Sequence, residues 1–285
     1  MTHFSKPDAA VGAATIAAPT TMPIPGILLA LAAIAVFALG LGIRLYDLTD
    51  QPLDFHATRQ LRGAIIARGM YYEMLPSADP ATRESAMAFW KSTGQYEPSI
   101  LERLVALTYL ATGGEKIWIA RLYPTLFWMI GGLALFALAR RMLAAEAERE
   151  THTRAAALVA RGFYLVLPFA VQASRSIQPD PGMVMWILLA VFAIYRWSET
   201  QSWKWAILAG VLGAIAILTK AVAAYILFGA AAGLVLYTLG FKRSLRSSQA
   251  WSMALVMINE AWAANTVSTC IVSIWNRSTT ESLPT

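Results

Sequence analysis

Six stretches of the chain are apolar for long enough to cross a lipid bilayer. A hydrocarbon core of about 30 Å takes roughly 20 residues of helix, and runs near that length fall at residues 26–45, 117–139, 155–173, 182–197, 203–219 and 221–240. The pattern predicts an all-α, polytopic transmembrane helix bundle. Only the first connection, about 46–116, is long, and it is polar throughout. A further run at 251–275 is long enough to cross but carries Asn259, Glu260 and Asn265 near its middle, where a carboxylate costs about 2.5–3.5 kcal/mol on insertion scales. It predicts at most a weak seventh span.

Inside the long loop the periodicity changes. From Ala57 onward, residues Ala57, Leu61, Ala64 and Ile65 share one helical face, whereas His56, Arg59, Gln60 and Arg62 share the other. This is an amphipathic helix suited to the membrane surface, with Gly69 as its expected stop and Arg68 in its last turn. A second such helix runs from Pro98 to the Gly113-Gly114 pair, with Ile100, Leu104, Leu107 and Ala111 as its apolar stripe. Two amphipathic juxtamembrane helices are therefore expected in the first external loop.

Charge sets the orientation. Arg140, Arg141, Arg149 and Arg154 follow the second run, Arg196 and Lys204 bracket the turn after the fourth, and Lys242, Arg243 and Arg246 follow the sixth. By the positive-inside rule these ends are cytoplasmic, as is the amino terminus, which leaves the long loop and residues 174–181 on the external face. Arg161 interrupts the third run and is expected to snorkel toward the interface.

Composition agrees. Of 285 residues 57% are hydrophobic and only 14% charged, against about 25% charged in soluble domains. The net charge of +6 sits at the ends of apolar runs instead of forming a stripe, so no nucleic acid partner is expected. One cysteine, Cys270, and three histidines exclude an internal disulfide and a zinc-type Cys/His cluster. Residues 1–25 carry Pro7, Pro19, Pro23 and Pro25 among small residues and are expected to be a disordered cytoplasmic tail. Residues 26–246 make the transmembrane domain, and 247–285 an atypical carboxy-terminal tail whose Asn276-Arg277-Ser278 sequon is a common accident.

The candidate chemistry gathers at the external face. Asp54 stands where the chain leaves the first span; its position suits a helix N-cap or a carboxylate presented to water above the headgroups. Arg59 and Arg62 suit contacts to lipid phosphate. Tyr96 and Glu97 are held at the start of the second surface helix, where an acid also complements the helix's positive end. Asp180 opens the fourth span and Lys220 separates the fifth from the sixth. Each could mark a span boundary, but anchoring alone does not require acids and cations from separate segments to meet at one interface. No Walker loop, dinucleotide fingerprint or zinc-protease motif is present.

At these residues the chain resembles the GT-C glycosyltransferases, in particular the family that includes protein O-mannosyltransferases and aminoarabinose transferases of lipid A. The matching segments are Asp54-Phe55-His56-Ala57-Thr58-Arg59, Tyr96-Glu97-Pro98-Ser99-Ile100-Leu101-Glu102, Gln178-Pro179-Asp180-Pro181 and Leu218-Thr219-Lys220. Their order and topology agree with the family over about 26–246. The resemblance implies transfer of a sugar from a polyprenyl-phosphate donor to a glycan, lipid or protein acceptor on the periplasmic face of a bacterial inner membrane, with inversion. Asp54 would be the catalytic base, and Arg59, Arg62, Tyr96, Glu97, Asp180 and Lys220 would bind substrate and lipid phosphate. Phe55 follows Asp54 where many relatives carry a second acid, so participation of a divalent metal stays open. Relatives continue through further spans, so the chain resembles a carboxy-terminally truncated member. The alternative is a non-catalytic membrane module that binds lipid phosphate.

Overall fold

A computed structural model describes residues 25–94, 97–144 and 150–259; every structural statement below concerns these residues. They are helical with no strand. The elements are α1 (Gly26–Leu45), α2 (Ala57–Glu73), α3 (Pro80–Ser92), α4 (Ile100–Thr112), α5 (Ile117–Ala144), α6 (Glu150–Val166), α7 (Pro168–Arg175), α8 (Asp180–Thr200), α9 (Trp203–Thr219), α10 (Ala223–Leu239) and α11 (Phe241–Ser244). A further helical stretch, α12, occupies 248–259. The rest of the proposed seventh span, with Glu260 and Asn265, lies outside the described residues, as do Tyr96, Cys270 and the sequon.

Helices α1, α5 and α8 are each long and apolar enough to span a bilayer, and α6 with α7 passes as one span bent by 58°. Helices α9 and α10 have 17 residues each, the lower limit for a crossing. The chain is thus an all-α, multi-pass membrane bundle. Its two ends are marked by contacts. At one, Arg141 of α5 pairs with Glu199 of α8 at 3.1 Å, and Trp197 Nε1 donates to Gln249 of α12 at 2.7 Å. At the other, the starts of α5 and α8 meet the loop helices.

The third apolar run is broken where Pro168 removes a backbone donor. The freed carbonyls are not left bare: Trp128 Nε1 donates to Tyr164 O at 3.1 Å, and Arg44 Nη1 donates to Leu165 O at 2.8 Å. Arg44, fully buried, also donates to Ser174 Oγ and Gly40 O, each at 2.7 Å. Side chains of α1 and α5 thereby satisfy the backbone that the kink exposes, as a nonaqueous surrounding demands. Arg161 does not snorkel: it is buried, with its guanidinium 4.9 Å from the Phe37 ring centroid and 5.8 Å from that of Phe136. Cation–π contact replaces water there.

The loop holds three helices, not two. Helix α3 starts at Asp79, whose carboxylate accepts from Thr82 N at 2.9 Å, with Pro80 in the first turn; this Asp-Pro start is a legible signal. Helix α2 also runs past Gly69. That residue is no stop: a Cβ there would lie 2.2 Å from Trp90 Cβ, so glycine is what lets α3 press against α2. Gly113, by contrast, ends α4 with φ of 72°, its N–H reaching Leu110 O.

The expected apolar stripes are not the packed faces. Leu61, Ile65, Ile100 and Leu107 are exposed, whereas Gln60, Gly63, Ala67 and Met70 of α2 pack inward with Leu101, Glu102, Val105 and Tyr109 of α4. The loop therefore has its own core, closed by Ile119, Ala120 and Ile177. A second core joins α8, α9, α10 and α12, where Met253 and Met257 are buried. Gly213 makes that contact: an added Cβ would sit 2.6 Å from the Met257 methyl carbon.

Candidate functional site

The loop is anchored by an arginine that the apolar pattern conceals. Arg121, near the start of α5, has a side chain only 1% exposed. Its Nη2 donates to Asp54 Oδ2 at 2.8 Å, and its Nη1 donates to the Asp47 and Asp50 carbonyls at 3.3 and 3.1 Å. Nε faces the Arg175 carbonyl at 3.4 Å. One guanidinium thus gathers the exit of α1, the turn after it and the end of α7. Asp47 and His56 adopt left-handed backbone, with φ of 48° and 51°, and bracket that turn.

Asp54 is not an N-cap. His56 occupies that place in α2 without a side-chain capping bond. Instead, Gln60 Nε2 donates to Asp54 Oδ1 at 2.9 Å and to Phe55 O at 2.8 Å, while Gln60 Oε1 accepts from Ile177 N at 3.2 Å. Gln60 is fully buried and ties Asp54 to the loop before α8. Partial burial pushes the Asp54 carboxyl upward, but hydrogen bonds from Gln60 and the Phe55 backbone, with the Arg121 charge, outweigh it and hold the pKa below the usual value.

The remaining candidates form a chain of charges beside this clamp. Lys220, in the break between α9 and α10, lies 2.8 Å from Asp180 Oδ1 and 3.4 Å from Glu97 Oε1. Arg59 Nη1 lies 3.9 Å from Asp180 Oδ2, too long for a hydrogen bond but close enough for ionic attraction. The lysine thus bridges acids from the loop and from the start of α8. Because Arg59 and Gln60 are neighbours on α2, the Asp54 clamp and this chain share one rim of the bundle.

Next to the charges is a cavity of about 480 Å³ between α2, α4 and the 176–179 loop, with Arg59, Arg62, Glu97, Glu102 and Gln178 among its lining. Arg62 Nη2 donates to Gly94 O. Glu102 is buried, which pushes its carboxyl pKa up, against the opposing Arg62 charge. Of the residues predicted from sequence, Asp54, Arg59, Arg62, Glu97, Asp180 and Lys220 are brought to this rim; Tyr96 lies outside the described residues. Arg121, Gln60, Glu102 and Gln178 were missed. A cation one turn inside the apolar run at 117 was the available signal for Arg121. No group of three or more His, Cys, Asp or Glu side chains that could hold a metal occurs among the described residues.

No curated protein and no solved structure matches the chain. The model of the dolichyl-phosphate-mannose-protein mannosyltransferase family matches residues 101–262, from α4 through α12 and slightly beyond. Glu102, Arg121, Gln178, Asp180 and Lys220 fall within the match; Asp54, Arg59, Arg62 and Glu97 precede it. With more than half the chain matched and an all-α membrane bundle that joins these residues at one rim, the chain belongs to the dolichyl-phosphate-mannose-protein mannosyltransferase family of membrane glycosyltransferases, within the GT-C superfamily.

Proposed function

We propose that the chain transfers a sugar from a polyprenyl-phosphate donor to an acceptor hydroxyl on the periplasmic face of a bacterial inner membrane, with inversion at the anomeric carbon. The amino terminus is then cytoplasmic, because the arginine- and lysine-rich ends lie opposite the site. The observation that carries the reading is the placement of Asp54 beside the Arg59–Asp180–Lys220–Glu97 chain, of which Arg59 and Glu97 line one cavity. Such a donor keeps its tail in lipid while its head must reach a polar acceptor, so its chemistry suits an interfacial rim. The exposed apolar side chains of α2 and α4, Leu61, Ile65, Ile100 and Leu107, suit contact with membrane lipids at that level.

Asp54 acts as general base. Gln60 and Arg121 occupy one bonding site on each carboxylate oxygen, and each oxygen keeps further lone-pair capacity for an acceptor O–H. As the acceptor oxygen bonds to the anomeric carbon, its proton passes to Asp54, and the electron pair of the breaking C–O bond stays on the phosphate. Lys220 and Arg59 stabilise that charge, with Arg62 at the cavity wall. Glu97 and Asp180 hold Lys220 in place, and Tyr96 completes the substrate-binding set. The donor set leaves a role for a divalent cation open.

The test is transfer of labelled sugar from a polyprenyl-phosphate donor by the purified chain. Asp54→Asn should lower turnover by about 10²–10⁴ without changing membrane insertion. Turnover equal to that of the parent removes Asp54 from the mechanism.

A further inference from the structure

The floor of the cavity carries polar groups that the roles above do not use. Gln178 is 5% exposed, lines the cavity, and its side-chain Nε2 has no hydrogen-bond partner among the described residues. A buried donor without an acceptor destabilises a fold. Its backbone is fixed on both sides, by the Gln60 contact to Ile177 N and by Pro179 at the start of α8. The same cavity is lined by Glu102, 8% exposed, on the inward face of α4.

Charge is graded across this space. Arg59, whose side chain is 54% exposed, stands at the mouth, whereas the neutral amide and the carboxyl are deep. A phosphate at the floor would meet the Glu102 and Glu97 oxygens, and Arg62, the cation beside them, is already opposed to Glu102, so part of the phosphate charge would face like charge unanswered. An uncharged ring with several hydroxyls meets no such penalty: each hydroxyl both donates and accepts, so it can serve an amide N–H and a carboxyl oxygen. The volume of about 480 Å³ is within the range of small-molecule sites.

We infer that Gln178 and Glu102 form a sugar-hydroxyl subsite, in which Gln178 Nε2 donates to one hydroxyl oxygen of a hexose and Glu102 accepts from a hydroxyl of the same sugar. The inference rests on the proposed lipid-phosphate sugar donor and adds which residues read its sugar. It also explains the orphaned amide: its partner arrives with the substrate. A site built to bond a hydroxyl discriminates strongly against a ligand that lacks it.

The experiment is calorimetric binding to the full chain in lipid nanodiscs, using a short polyprenyl phosphate and its mannosyl and glucosyl esters. The parent should bind one ester at least about tenfold more tightly than the bare phosphate, and Gln178→Leu and Glu102→Leu should each erase that increment, whereas Glu102→Gln, which keeps an acceptor oxygen, should retain part of it. Bare-phosphate affinity should stay within about twofold, and Gln178→Leu should melt no lower than the parent, since it removes an unpaired donor. An undiminished increment in Gln178→Leu, no increment in the parent, or an equal loss of bare-phosphate binding overturns the subsite. Failure of the transferase reading looks different: the sugar increment and its loss in the variants persist, but no sugar is transferred.

Discussion

Arg121 Nη2 donates to Asp54 Oδ2 at 2.8 Å from a side chain that is almost entirely buried, so the candidate base is held by a charge that has no water to fall back on. Removing the arginine strands the carbonyls of Asp47, Asp50 and Arg175 together and takes one partner from Asp54. Asp54 keeps its Gln60 bond and some contact with water, so the loss falls mainly on the stranded acceptors, about 1–3 kcal/mol for a buried group left unsatisfied, and Arg121→Met should show it as a lowered unfolding midpoint in detergent. Arg121→Lys should recover only part, because one ammonium does not reproduce the fork. Equal midpoints for Arg121→Met and the parent contradict the anchoring role.

The same pair sets a pH dependence. The folded Asp54 pKa lies below its ordinary value of 3.8, so its contribution to stability is fully present above the unfolded pKa and is lost as pH falls through the folded one. Melting followed from pH 6 to pH 2 should show a decline below about pH 4 that is shallower in Asp54→Asn. Identical slopes count against the clamp. At neutral pH Asp54 is ionised, as a proton acceptor requires.

Lys220 bridges Glu97 and Asp180, so its removal sets two acids facing each other without their counter-ion. Lys220→Met should depress transfer strongly, and Asp180→Asn placed on top should cost less than it does alone. The coupling expected for residues in one ionic network is about 0.5–3 kcal/mol. Strict additivity in that cycle argues for two unrelated surface contacts.

At Gly69 the prediction is steric. A methyl group there collides with Trp90 Cβ, a backbone-proximal atom that cannot swing aside, so Gly69→Ala should cost about 1–3 kcal/mol by overpacking. Shortening the partner, as in Gly69→Ala with Trp90→Ala, leaves the Cβ contact and should rescue little. Trp90→Gly should rescue more. Thermal unfolding of the four proteins separates these cases.

The kink at Pro168 offers a test of backbone satisfaction. Trp128 donates to the Tyr164 carbonyl that Pro168 leaves open, so Trp128→Phe should cost about 1 kcal/mol. In a Pro168→Ala background, where a backbone N–H can take over that carbonyl, the same change should cost measurably less. An unchanged cost in both backgrounds would falsify the compensation.

Much of this was written in the order of residues. Apolar runs of about 20 residues, separated by arginine clusters, determine a multi-pass helical bundle because lipid accepts little else and sorts charge by side. The same order placed Asp54, Glu97, Asp180 and Lys220 at connections on one side, which topology then makes neighbours. Helix α3 was legible in Asp79-Pro80 but is too polar for a search for apolar stripes to find.

Other features belonged to the tertiary structure alone. The amphipathic periodicity of α2 and α4 locates an apolar stripe but does not say whether lipid or protein covers it; the packing put Gln60 and Glu102 inward and left Leu61 and Leu107 exposed. Gly69 reads as a stop until a neighbouring helix presses on it. Arg121 is marked locally only as a cation inside an apolar run, and Gln178 only as the first residue of a short Gln-Pro-Asp-Pro segment; their meaning comes from partners more than fifty residues away or from an unfilled cavity. Sequence fixes a side chain's chemistry and its helical face, because these depend on near neighbours. Which buried charge finds which partner depends on distant helices closing together, where desolvation makes each unmatched polar group costly.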